Sequence, residues 1–268
     1  MNTGKKVKTI LFIALSIFIS NHLIIILGKV FKDQFFAILP NYYYRTFAFQ
    51  IVQAFLTVAL ILIFHKTSVF KLNGKVLKEG FFCSLPLITT YSLIMLLGFS
   101  KNSGNQLISK PEIICSILNW FLIGVAEEGL FRGIVHELFA DIFVKTTRKG
   151  VYLAIAASSV VFGLCHLTNL FAPGISVAAV VLQVASAMAI GMVLCAIKFR
   201  SHGSIWPSIV LHALIDASGF IYGGLLWGGT EVDSVNNLDL RGVFMIPILI
   251  GLAIFLMRKE KTNNLIQA

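Results

Sequence analysis

Eight apolar stretches separated by short polar segments dominate the chain. They run roughly over 10–27, 46–64, 80–99, 112–139, 150–170, 174–198, 204–226 and 242–257. Most reach about twenty residues, the length a helix needs to cross the ~30 Å hydrocarbon core of a bilayer. The last is shorter and still covers about 24 Å as a helix. Backbone exposed to lipid must satisfy its own hydrogen bonds, so the pattern predicts an all-α polytopic membrane protein, a bundle of eight transmembrane helices. The longest polar connections, Ser100–Lys110 and Gly228–Arg241, are too short to fold alone, and no repeat or low-complexity tract divides the chain. Residues 1–268 therefore read as a single membrane-embedded domain.

Composition agrees with that pattern. The chain is 57% hydrophobic and only 13% charged, with mean hydropathy +0.87, more apolar residue than a soluble core needs. A formal charge of +10 would suit nucleic acid, but the cations lie in short runs between apolar stretches, as topology signals do. The expected partner is thus the lipid bilayer, and not nucleic acid. Lys5, Lys6 and Lys8 precede the first stretch as in a secretory signal. Its apolar run, however, continues past Asn21 and His22 to Leu27 with no small-x-small cleavage site, so a retained helix is expected. Cys83, Cys115, Cys165 and Cys195 show no CxxC spacing and read as small apolar fillers.

Orientation follows from the cations. With the N-terminus inside, the inner segments carry fifteen Lys and Arg (Lys5, Lys6, Lys8; the four of Lys66–Lys78; Lys145, Arg148, Lys149; Lys198, Arg200; Arg258, Lys259, Lys261). The outer segments carry six: Lys29, Lys32, Arg45, Lys101, Lys110 and Arg241. Both termini are expected to be cytoplasmic, the membrane being a bacterial plasma membrane.

The fourth stretch breaks its own pattern. From Cys115 to Phe143 the only charges are Glu127, Glu128, Arg132, Glu137 and Asp141, and ionisable groups at bilayer depth usually mark function. Glu128 and Arg132 are an i,i+4 pair with the acid N-terminal, whereas Glu127 points about 100° away with no such partner. The fifth stretch carries Phe162-Gly-Leu-Cys-His166, and the seventh His212-Ala-Leu-Ile-Asp216, an imidazole and a carboxylate one turn apart. Each could be structural by itself: a satisfied histidine, a polar clamp of ~1 kcal/mol, or an ion pair. Together, on three helices, they read as a functional site. A linear count puts His166 towards the outer end of its helix, less deep than the others.

Weaker signals have simpler readings. His136-Glu137 begins like the zinc-protease HExxH motif, but position 140 is Ala140. His22, His65 and His202 sit near helix ends. Gly129xxxGly133 and Gly219xxxGly223 have small-xxx-small spacing, which suggests close approach of the fourth and seventh stretches at the site.

The ordered set Glu127-Glu128-x-x-x-Arg132, Phe162-x-x-x-His166 and His212-x-x-x-Asp216 resembles the CPBP intramembrane protease family of CAAX-processing and bacteriocin-processing or self-immunity (Abi-type) proteins. The resemblance covers about residues 111–226. It departs at Asp216, where that family more often has Asn. It implies hydrolysis of a peptide bond in a membrane-associated or hydrophobic substrate, either a lipidated CAAX protein or a processed peptide. The implied catalytic residues are Glu127, Glu128, Arg132, His166, His212 and Asp216. The residue chemistry points the same way: peptide hydrolysis needs a base for water and a donor for the oxyanion. Glu127 suits the base, with His166 positioning the water and His212 the donor. Asp216 is expected to accept from His212 and fix its ring. Zinc is left open, since Glu127, His166, His212 and Asp216 can ligate it or act without it. Two other classes stay in view: a non-catalytic immunity or scaffold protein of the same fold, and an ion-coupled transporter. The latter has against it the lack of an inverted repeat or of paired broken helices.

The cation asymmetry makes a direct prediction. Reporter fusions after Lys75 and after Ala268 should report inside, and one within Gly228–Arg241 outside. An outside C-terminus would overturn the orientation.

Overall fold

The computed structural model describes residues 3–258 apart from 24–25, 27–29, 144–145 and 238–239, together with residue 262. All regular structure among the described residues is helical. Helix α1 (Thr3–Ile17) runs on into a π turn (Phe18–His22), and a short α2 (Lys32–Ile38) precedes α3 (Tyr42–Ile63) and α4 (Gly74–Lys101). Next, α5 (Lys110–Glu127) continues through a π-helical stretch (Glu128–Val135) into α6 (His136–Phe143). Helix α7 (Arg148–Cys165) ends in a 3₁₀ turn (His166–Phe171) and is followed by α8 (Val177–Arg200) and α9 (Trp206–Gly223). Short α10 (Glu231–Asn236) leads to α11 (Leu240–Leu256). The expected end of the first helix at Leu27, and the cations Lys29, Lys145, Lys259 and Lys261, fall outside the described residues.

The helix starts are written in the sequence. Ser109 and Glu112 form a capping box at the head of α5, with Pro111 in its first turn, the position where a missing N–H costs nothing. Asn41 caps α3 and also donates from Nδ2 to Glu112 Oε1 at 2.7 Å, so two helix starts are tied together. Thr147 accepts from Gly150 N and Ser176 from Ala179 N, capping α7 and α8. Gly224, at φ 89°, closes α9 in the left-handed conformation that glycine adopts without strain.

Packing centres on two helices. The α5–α6 rod lies against α3, α7 and α9, and α9 lies between α4 and α5; α8 packs on α7 and α11. Large apolar side chains such as Phe55, Phe171 and Phe244 face outward, while Glu128, Arg132, Lys198 and His212 are buried. That inversion suits a lipid surround. Five helical segments are long and apolar enough to cross a membrane: Tyr42–Ile63, Gly74–Lys101, Lys110–Phe143, Arg148–Phe171 and Val177–Arg200. Gly242–Leu256 is apolar but shorter.

Close approach occurs, but not through the expected glycine pairs. A Cβ on Gly129 would lie 2.7 Å from Thr57 Cγ2, and one on Gly133 would lie 3.2 Å from Ile61 Cδ1, so that face packs on α3. Gly219 has nothing within 4 Å, and Gly223 meets Ser234. The α5–α9 crossing is made at Gly124 instead, where a Cβ would sit 2.7 Å from the Ile209 carbonyl oxygen. Small-residue spacing identifies a face able to pack, and the partner is chosen by the rest of the bundle.

Gly124→Ala should therefore push α9 off α5, because the obstructing atom is backbone and cannot rotate away. The expected loss is about 1–3 kcal/mol in thermal unfolding in detergent. An unchanged midpoint would mean the helices separate freely.

Candidate active site

Everything at the site hangs on one carboxylate oxygen. Glu128 Oε1 lies 2.9 Å from Arg132 Nη1 and 2.6 Å from His212 Nδ1. The side chains of Glu128 and Arg132 are both 0% exposed. A carboxylate only accepts, so Nδ1 carries the proton of that short bond. The Arg132 contact is one of charge, its guanidinium nitrogens making no aligned hydrogen bond among the described residues. The guanidinium also lies over the Phe162 ring, 4.3 Å from its centroid, a cation–π contact that strengthens out of water.

The other face of His212 meets the remaining acids. Its Nε2 is 3.6 Å from Glu127 Oε2 and 3.7 Å from Asp216 Oδ2, both beyond direct hydrogen-bonding distance. Glu127 is 24% exposed, so the two neighbouring glutamates have opposite situations: one sealed and paired, the other reachable. The imidazole is clamped between them. Its orienting acid is Glu128, from another helix, and not Asp216, one turn along its own. The i,i+4 spacing on α9 places Asp216 near Nε2, and the approach of α5 at Gly124 gives Nδ1 to Glu128.

His166 stands apart from this cluster. It opens the 3₁₀ turn after α7, and its Nδ1 lies 3.1 Å from the Phe162 carbonyl. It makes no hydrogen bond or ion pair with the other five residues. Its link to them is the Phe162 ring, edge-on to His166 at 5.1 Å and to His212 at 6.0 Å. Thus Phe162 touches both imidazoles and the guanidinium.

The rod carrying the acids is not a plain α-helix. Over Glu128–Val135 its bonds reach back five residues, and His136 N–H bonds the Phe131 carbonyl where an α-helix would use that of Arg132. π segments are rare and concentrate at functional sites. Neighbouring helices serve the carbonyls here: Ser158 Oγ donates to Phe131 O at 3.1 Å, and Lys198 Nζ to Arg132 O at 2.7 Å. Lys198 is 1% exposed and also contacts His136 Nδ1 at 3.2 Å and Glu137 Oε1 at 2.5 Å. It is therefore an interior cation and leaves the expected cation asymmetry at fourteen against six. The sequence carried two signals for this: apolar neighbours on both sides of Lys198, and Glu137 set in an apolar stretch whose nearest cation, Arg132, is already paired with Glu128 by spacing.

Among the described residues no group of three His, Cys, Asp or Glu side chains converges to hold a metal ion. The Phe162 ring lies against both imidazoles, and Glu127, His166, His212 and Asp216 do not converge on one point. The donors do not fit a zinc centre, which needs about 2 Å contacts from three or four ligands.

Residues 109–218 match the family model described as Type II CAAX prenyl endopeptidase Rce1-like. That match spans every residue of the cluster. No curated protein and no solved structure matches the chain. The apolar helices and the matched family together make this an integral membrane protein.

The geometry separates the two glutamates experimentally. Glu128→Gln leaves Arg132 without its counter-charge at zero exposure, and breaking such a buried pair costs about 3–5 kcal/mol. Glu127→Gln breaks no such pair. Thermal unfolding in detergent should show a large loss for the first and little for the second; equal losses would mean that Glu128 and Arg132 do not depend on each other.

Proposed function

We propose that residues 109–218, the segment belonging to the Rce1-like type II CAAX prenyl endopeptidase family, form the catalytic core of an intramembrane endopeptidase. Its substrate is a membrane-associated or hydrophobic peptide of the CAAX type. The observation that carries this reading is the clamped imidazole: His212 lies 2.6 Å from sealed Glu128 and 3.6 Å from accessible Glu127. In the proposed arrangement the chain crosses the membrane eight times with both termini cytoplasmic, α1, α9 and α11 adding to the five long apolar segments.

In this mechanism a water sits between Glu127 and the scissile carbonyl. Glu127 takes its proton as the hydroxide attacks the carbonyl carbon. The oxyanion forms opposite His212 Nε2, which donates to it while Glu128 holds the ring through Nδ1. The proton on Glu127 then passes to the leaving amine, which breaks the C–N bond and restores the base. Arg132 balances Glu128, so that Glu128 remains an acceptor in a medium that penalises lone charge. Asp216 faces the same nitrogen as Glu127, 3.7 Å from Nε2, and adds negative potential on the side where the ring meets the substrate. His166, beyond Phe162, bounds the substrate side and reaches the water or the peptide from its Nε2.

Two variants test these roles on a synthetic farnesylated CAAX peptide with purified protein in detergent. Glu127→Gln keeps the shape and removes the base, so turnover should fall 10²–10⁴-fold, the usual loss of a general base, with folding intact. Activity above about a tenth of the parent's would place the base elsewhere. Asp216→Asn should fold normally and cleave more slowly. An Asn variant equal to the parent at every pH would leave the carboxylate without a role. A parent protein inert towards such peptides would favour the non-catalytic reading.

A further inference from the structure

We infer that Lys198 is a positioning residue for the reaction: from α8 it pins the Arg132 peptide and thereby holds the Glu128–His212 clamp in register. The inference rests on the peptidase reading for its consequence, though not for its geometry. An ammonium has three N–H donors, and Lys198 Nζ has three acceptors around it: Arg132 O at 2.7 Å, His136 Nδ1 at 3.2 Å and Glu137 Oε1 at 2.5 Å. A residue serving only as the counter-charge of Glu137 has no need of the first. That carbonyl is the one His136 N–H passes over when it bonds Phe131 O in the π stretch. The same residue whose backbone Lys198 holds carries its guanidinium to Glu128 at 2.9 Å and to the Phe162 ring at 4.3 Å, and Glu128 holds His212. The line from α8 to α9 is thus Lys198, Arg132, Glu128, His212. Each link in it is a contact between side chains, or between a side chain and a peptide, that are almost wholly buried. The physical reason for such a brace is that the five-residue bonding of the π stretch skips the Arg132 carbonyl at His136, and a donor placed on that carbonyl opposes relaxation to α-helical bonding. Such a relaxation would rotate Arg132 and the glutamates relative to His212.

A variant cycle on the full chain in detergent tests this, with kinetics on the synthetic farnesylated CAAX peptide and thermal midpoints. Lys198→Met keeps the stem and removes all three donors. It should lower kcat roughly 10- to 100-fold, as expected for displacement of catalytic groups, with KM changed less than about twofold. Its midpoint should fall because Glu137 is left unpaired. Adding Glu137→Gln to Lys198→Met removes that stranded charge: the midpoint should recover while kcat stays low, since the Arg132 carbonyl still lacks its donor. Glu137→Gln alone should keep kcat within about twofold of the parent. Parental kcat in the double variant overturns the inference and leaves Lys198 as a counter-charge. If Lys198→Met does not fold, the double variant carries the comparison. A second readout needs no turnover. The His212 Nδ1 proton in ¹⁵N-histidine NMR should shift in the double variant and stay in place in Glu137→Gln; an unmoved signal also overturns the inference. If the parent cleaves no peptide, the peptidase reading has failed, and the His212 signal alone decides on Lys198.

Discussion

A carboxylate sealed inside a membrane bundle must be neutralised by something its own fold supplies, and here Glu128 is neutralised twice through one oxygen. Arg132 meets it from the same rod and His212 from the facing helix. Neither partner is interchangeable with solvent, because the pair is fully buried. The rest of the interior can be read as support for that arrangement. Gly124 lets α9 close on α5, and the Phe162 ring covers the guanidinium. The π stretch sets the facing of the acids, with Ser158 and Lys198 taking the carbonyls it turns outward.

The neighbouring glutamates show how position alone divides labour. They are adjacent in sequence and identical in chemistry, yet one is closed off and paired while the other keeps access and stands 3.6 Å from His212 Nε2. A buried ion pair is a weak source of net stability, since desolvation offsets most of the attraction. Its part here is positional: Glu128, Arg132 and His212 meet where α9 closes on the α5–α6 rod. The same constraint accounts for the interior Lys198–Glu137 pair one turn further along the rod.

Much of this was legible from the chain before any coordinates. Apolar stretches located the long helices, because the cost of unpaired backbone in lipid leaves no other regular structure. However, α1 and α4 begin well before their stretches, and five segments among the described residues are long and apolar enough to cross a membrane. The cost of charge at depth singled out Glu127, Glu128, Arg132, His212 and Asp216, and spacing paired Glu128 with Arg132. Those inferences depend only on local sequence and on the solvent, so tertiary structure had little room to change them.

What the bundle alone decided are the relations between helices. That Glu128 rather than Asp216 orients His212, that the Gly129–Gly133 face packs on α3, and that Lys198 is an interior brace are facts about which faces meet. Hydrophobic periodicity carries no information about them when every face is apolar. The π stretch belongs with these: its extra residue per turn is stabilised by donors from α7 and α8, far away in the chain. Sequence determined which groups had to be satisfied inside the membrane, and packing determined by whom, because the bilayer penalises an unmet charge locally while its partner can come from any helix that reaches it.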